Sequence, residues 1–137
     1  STNRNQNRAL SMSNKLQHIL GQVQHDDGSY RAWLTCQQGD TSNLKLVPTS
    51  HTGEATRYIP YLQPITIEYS PDTGLLCLIC HGTAMMVFLE GQGLEELADL
   101  IGEKRARSIH VYDPTKYPQP PDNQAAVITK ITVQQSI

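Results

Sequence analysis

Residues 75–90 read LLCLICHGTAMMVFLE, and this stretch limits what the chain can fold into more than any other. Two apolar runs, 75–81 and 84–90, flank Gly82-Thr83. A short apolar run bounded by turn residues reads as a strand covered on both faces. Two such runs joined by a Gly-X pair predict a hairpin with Gly82 at positive φ. The chain is therefore expected to fold around a β-sheet whose central hairpin needs cover on two sides.

The flanking segments extend that reading. Asp27-Gly28 is a hairpin turn signal. Tyr30, Ala32, Leu34 and Cys36 alternate with Arg31, Trp33 and Thr35, so 18–25 and 29–37 are expected to pair. Leu16, Ile19, Leu20 and Val23 also fit a short helix, so 16–24 is open between helix and strand. Further strands are expected at 43–48, 65–69, 109–112 and 126–133. Residues 49–56 are a polar loop. Pro60 and Pro64 limit pairing in 57–64, because proline offers no N–H donor. Gly91-Gln92-Gly93 interrupts the strand pattern. Leu94, Leu97, Ala98 and Ile101 then recur at helical spacing, predicting one amphipathic helix over 94–104 that ends near Gly102. Acids fall early in it, and Lys104, Arg105 and Arg107 fall late, as the helix dipole favours. Pro114, Pro118, Pro120 and Pro121 make 113–123 an extended linker before the last strand. The expected class is α+β, mainly antiparallel β. It holds six to eight strands in a curved sheet or small barrel, with the one helix.

With 137 residues the chain suits one domain. An apolar share of 38% is modest, which puts part of the chain outside the core. Residues 1–14 are expected to be a flexible N-terminal tail and 15–137 a single globular domain. A net charge of −2 creates no field that would gather nucleic acid or an anionic membrane. No apolar run approaches the ~18 residues of a membrane span, so no membrane partner is expected. The polar N-terminus carries no apolar core of a secretory signal. Three cysteines, an odd number, suit free thiols in a reducing compartment, and the cytoplasm is the expected location.

Cys77-Leu78-Ile79-Cys80-His81 spells C-x-x-C-H, the attachment signature of a c-type haem. Met85 and Met86 follow, and methionine can ligate haem iron. In a strand, however, Cys77 and Cys80 point to opposite faces and cannot present two thioethers to one porphyrin edge. A redox dithiol sits at a helix N-terminus, and no helix opens at 81–84. Zinc needs further ligands, for which Cys36, His51 and His110 are candidates only through tertiary contacts. The pattern is expected to be a pair of core cysteines, and no cofactor is expected.

Other candidates carry less specific chemistry. Lys104, Arg105, Arg107 and His110 form a basic group suited to a phosphate-bearing ligand. Arg4, Arg8 and Lys15 precede the first acid, and with Arg31, Trp33 and Arg57 they suit single-stranded nucleic acid on a small β-barrel. His25-Asp26-Asp27 at a hairpin tip could chelate a metal, and turn composition accounts for it equally. Gly91-x-Gly93 lacks the third glycine and the acid of a dinucleotide loop. No P-loop, H-E-x-x-H or Ser-His-Asp order is present. The expected function is that of a non-catalytic domain acting by binding or self-assembly, with a homo-oligomer, preferably a dimer, as partner. A nucleic-acid-binding barrel is the alternative. A redox or haem protein through Cys77, Cys80 and His81 is the third reading.

Overall fold

The structure is a computed structural model that describes residues 29–49, 52–118 and 120–135. The expected tail, the 18–25 strand, the 16–24 ambiguity, the Asp27-Gly28 turn, His25-Asp26-Asp27 and His51 lie outside those residues. Among the described residues the elements are β1 (Trp33–Thr35), β2 (Asn43–Val47), β3 (Arg57–Pro60), β4 (Ile65–Ser70), β5 (Leu75–Cys80), β6 (Met85–Gln92), α1 (Glu95–Gly102), β7 (Ala106–His110) and β8 (Val127–Gln135). They form two four-stranded sheets, ordered β1-β7-β2-β3 and β4-β5-β6-β8. The fold is α+β and mainly antiparallel. The sheets do not close into a barrel, and one pairing, β2 with β7, is parallel.

The second sheet grows directly from the central hairpin. Leu76, Leu78 and Cys80 of β5 are 0% exposed, as are Val87 and Leu89 of β6. Their cross-strand neighbours Ile65, Ile67 and Tyr69 on β4, and Ile131 on β8, complete one face of the sheet. That face meets Leu44, Leu46 and Ile59 of the first sheet and Leu94, Leu97, Leu100 and Ile101 of the helix in one core. Each fully buried aliphatic side chain here contributes roughly 1.5–3 kcal/mol. Leu100, which the i, i+3, i+4 stripe omits, widens the apolar face of α1.

The hairpin connection departs from the expected two-residue loop. Residues 81–83 form a 3-10 turn, and the left-handed residue is Ala84, with φ 51°, not Gly82. Gly82 is needed for space instead: a Cβ there would lie 2.8 Å from Cβ of Gln63. The helix end differs in the same way. Gly102 is the last helical residue, and Lys104 takes the left-handed position with φ 59°. The Lys104 N–H bonds to the Ile101 carbonyl at 3.0 Å and the Arg105 N–H to Leu100 at 2.8 Å, the paired bonds of a Schellman cap.

Nor do residues 91–93 end the strand. β6 runs on to Gln92 through a bulge between Glu90 and Gly91. The bulge brings β8 so close that a Cβ on Gly91 would lie 1.8 Å from the Val127 carbonyl oxygen. Pro60 ends β3, which is an edge strand of the first sheet, where a missing N–H costs no ladder bond.

The proline-rich 113–123 segment is anchored to the body of the fold. Asp113 is 1% exposed and Tyr117 3%. Asp113 Oδ1 accepts from the Thr115 N–H at 3.0 Å and the Thr115 hydroxyl at 2.7 Å, turning the chain. Tyr117 packs edge-on against Tyr30 with ring centroids 5.1 Å apart, and Tyr112 does so at 5.2 Å. The Tyr30 hydroxyl joins the two sheets. It donates to the His110 carbonyl at 2.6 Å and accepts from the Ile128 N–H at 2.9 Å.

Candidate functional site

The register of the second sheet assigns every β5 and β6 side chain to a face. One face points into the core. On the other, three rows cross the sheet: Thr66–Ile79–Met86–Gln134, Glu68–Cys77–Phe88–Thr132 and Ser70–Leu75–Glu90–Lys130. Leu75, Cys77, Ile79, Met86 and Phe88 therefore stand together on the two central strands. None of the five belongs to the core cluster or packs against it. Leu75, Ile79, Met86 and Phe88 are half-buried, and Cys77, in the middle row, is 8% exposed. Both edges of the face are polar, with Glu68 on β4 and Lys130 on β8. The helix contacts this sheet from the core side, where Ile67 lies 3.6 Å from the Cβ position of Gly102.

This geometry separates the members of the C-x-x-C-H pattern. Cys77 lies on the outer face beside Phe88, and Cys80 lies on the core face between Ile65 and Met85. His81 is exposed in the 3-10 turn, with Nε2 2.8 Å from the Thr66 hydroxyl. Burial raises the pKa of both thiols, and also that of Cys36, so each is held as the protonated thiol. Among the described residues, no group of three His, Cys, Asp or Glu side chains is placed to hold a metal ion.

The four basic candidates run from the helix end along β7, and Arg105 and Arg107 both lie near Cys36. Lys104 is exposed at the helix end. Arg105 folds back, its Nε donating to the Cys36 carbonyl at 3.3 Å and its Nη1 3.6 Å from Glu103. Arg107 is exposed at the start of β7. His110 is at the far end of that strand, with Nε2 2.8 Å from the Ser108 hydroxyl. Of the nucleic-acid candidates, Arg4, Arg8 and Lys15 lie outside the described residues. Arg31 and Trp33 are at the β1 edge of the first sheet, and Arg57 is on β3 at the opposite edge. Trp33 packs partly against the core, while Tyr58 is 61% exposed with Lys45 Nζ 5.9 Å above its ring.

The described residues also form concavities. A cleft of about 530 Å³ runs beside the β6–β8 bulge, lined by Thr73, Glu90, Gln92, Asp122, Asn123 and Thr129 among others. Gln92 is already spent there: its Nε2 donates to the carbonyls of Asn123 and Ala125 at 3.2 and 2.9 Å. A smaller groove of about 220 Å³ lies where the helix end, the 61–64 loop and β4 meet. Leu62, 95% exposed, stands at its rim. The sequence pattern does not reveal either one, because each is built from segments far apart in the chain. Among the described residues no helix is long and apolar enough to cross a membrane. No protein-family model, curated protein or solved structure matches the chain.

Proposed function

We propose that this chain is a non-catalytic domain that acts by self-assembly, forming a homodimer through the outer face of the second sheet. The observation that supports this reading is the contiguous apolar group Leu75, Cys77, Ile79, Met86 and Phe88, aligned in register across the two central strands and separate from the core. The arrangement of charge favours a second copy as the partner. Glu68 is on one edge strand and Lys130 on the other, so a two-fold axis parallel to the strands lays each acidic edge over the partner's basic edge. Apolar side chains then meet in the middle, and the polar edges form the rim.

Magnitude sets the expected strength. Four strands about 4.8 Å apart and three rows about 6.8 Å apart give a face of roughly 400 Å². Two copies bury on the order of 800 Å², below the ≈1,200 Å² of stable specific interfaces. The dimer is accordingly weak, with Kd on the order of 10–100 μM. Sedimentation equilibrium tests this. The expected mass rises from 15.3 kDa toward twice that value as concentration increases. Phe88→Lys is expected to hold the chain at the monomer mass while leaving its circular dichroism spectrum unchanged. A wild-type chain that stays monomeric up to about 300 μM would overturn the reading and leave a different partner for this face.

A further inference from the structure

The groove at the end of α1 differs in chemistry from the outer face of the second sheet and is independent of the dimer. Its walls are mainly aliphatic: Pro64 from the loop before β4, Ile65 and Ile67 from the start of β4, and Ile101 from the helix, with Tyr61 beside them. Leu62 extends the apolar surface outward, fully in solvent. One charge belongs to the lining, the ammonium of Lys104, and no carboxylate does. One polar group in the lining has unused capacity. Gln63 Oε1 accepts from the Thr83 hydroxyl at 3.3 Å, while its Nε2 is buried and has no hydrogen-bond partner. A buried N–H left without an acceptor costs about 1–3 kcal/mol.

Lys104 occupies its place at some expense to the fold. Its left-handed backbone favours glycine, and a side chain there adds roughly 1 kcal/mol of strain. An aliphatic wall, a single cation with no competing acid, and an unsatisfied amide donor are together complementary to one ligand chemistry. At about 220 Å³ the space is below the ≈300–1,000 Å³ of drug-sized pockets, so it suits a branched chain of a few carbons.

We infer that this groove binds a short aliphatic carboxylate, with the hydrocarbon against Ile65, Ile67 and Ile101 and the carboxylate drawn to Lys104 and to the Gln63 amide, whose buried Nε2 is reached when the side chain turns into the groove. A free branched-chain acid and the C-terminal leucine of an extended peptide share this chemistry. The peptide has an added contact open to it, because β4 is an edge strand.

The test is an NMR titration of the full chain with 4-methylpentanoate, its neutral amide, and a short peptide ending in leucine with a free or an amidated terminus. Saturable shifts are expected at the Gln63 side-chain NH₂ and at the amides of Gly102 and Lys104. They are expected with the carboxylates and not with the amides. Lys104→Gln, at an exposed position that tolerates the change, is expected to weaken binding about tenfold, and Lys104→Arg to retain it. Tighter binding of the peptide acid than of the free acid identifies a chain terminus as the ligand. Equal or weaker binding identifies the small acid. Three results would each overturn the inference: no saturable shift at about 10 mM ligand, equal binding of the amides, or indifference to Lys104→Gln.

Discussion

The two faces of the second sheet carry nearly the same residue types and lead different lives. On the core face Leu76, Leu78, Val87 and Leu89 are fully buried against the first sheet and the helix. On the outer face Leu75, Ile79, Met86 and Phe88 remain partly exposed and join no core. Hydrophobicity is non-directional, so composition alone makes both faces equally eager for cover. What separates them is the supply of covering layers. Among the described residues the covering layers are the helix and the first sheet, and both lie on the same side. An apolar face left over after the intramolecular layers are assigned is where association is to be sought.

The sharpest way to break this comparison uses neighbours one residue apart. Leu78→Ala leaves a cavity in the core and is expected to cost about 3–5 kcal/mol in urea unfolding. Ile79→Ala, on the outer face, is expected to cost about 1 kcal/mol, a partly solvated position losing less on truncation. Equal costs would mean that the outer face is buried within the monomer as thoroughly as the core face.

Next in size is Gly91→Ala, at about 3 kcal/mol. The added methyl meets the Val127 carbonyl at 1.8 Å, and backbone on both strands has to part. Retained stability would show that the β6–β8 bulge is looser than described.

The cysteines compare the faces by chemistry. Cys80 is fully buried in the core, so its labelling by a thiol reagent is expected to wait for global unfolding. Cys77 is expected to react at least tenfold faster, and more slowly as protein concentration rises, since the dimer covers it. Equal rates, or no dependence of Cys77 on concentration, would count against the assignment of faces.

A smaller effect follows from pH. Burial raises the thiols of Cys36, Cys77 and Cys80 and the hydroxyls of Tyr30 and Tyr61 above their ordinary values. The folded chain keeps protons that the unfolded chain releases above about pH 8.5 for thiols and about pH 10 for phenols. The stability they contribute is fully present below about pH 8.5 and falls as pH climbs past it. The melting temperature is expected to decline from pH 8 to 10.5, and a flat profile would contradict it. The smallest change is a gain. Ala84→Gly relieves the left-handed backbone of the hairpin connection and is expected to stabilise by about 0.5–1 kcal/mol, read as a higher urea midpoint.

Most elements were legible because their signals are local. Alternation marked β1, a continuous apolar run between turn residues marked β5, and helical spacing marked α1, within a few residues of where they lie. The opposite placement of Cys77 and Cys80 followed from the period of a strand alone. Signals that depend on a distant neighbour were misread. Gly82 suggested a positive φ, but it is small because Gln63 crosses it. Gly91 suggested a break, but it is the close approach of β8 that excludes a side chain. The prolines of 113–123 suggested an extended linker, and within it Tyr117 is buried against Tyr30, 87 positions earlier in the chain. In the candidate groove, Lys104 was noted as part of a basic group, while Gln63, polar and without a pattern, gave no signal.

By itself, then, the sequence determined a β-rich chain with one amphipathic helix, and it determined which side chains of each strand share a face. Both follow from periodicity, which needs only neighbouring residues. Only the tertiary structure decided that the strands divide into two open sheets, that β2 and β7 run parallel, and that, among the described residues, one apolar face of the hairpin has no covering layer. Those outcomes depend on which segments, far apart in the chain, supply the cover. A hydrophobic pattern states that a face must be covered and carries no information about what covers it.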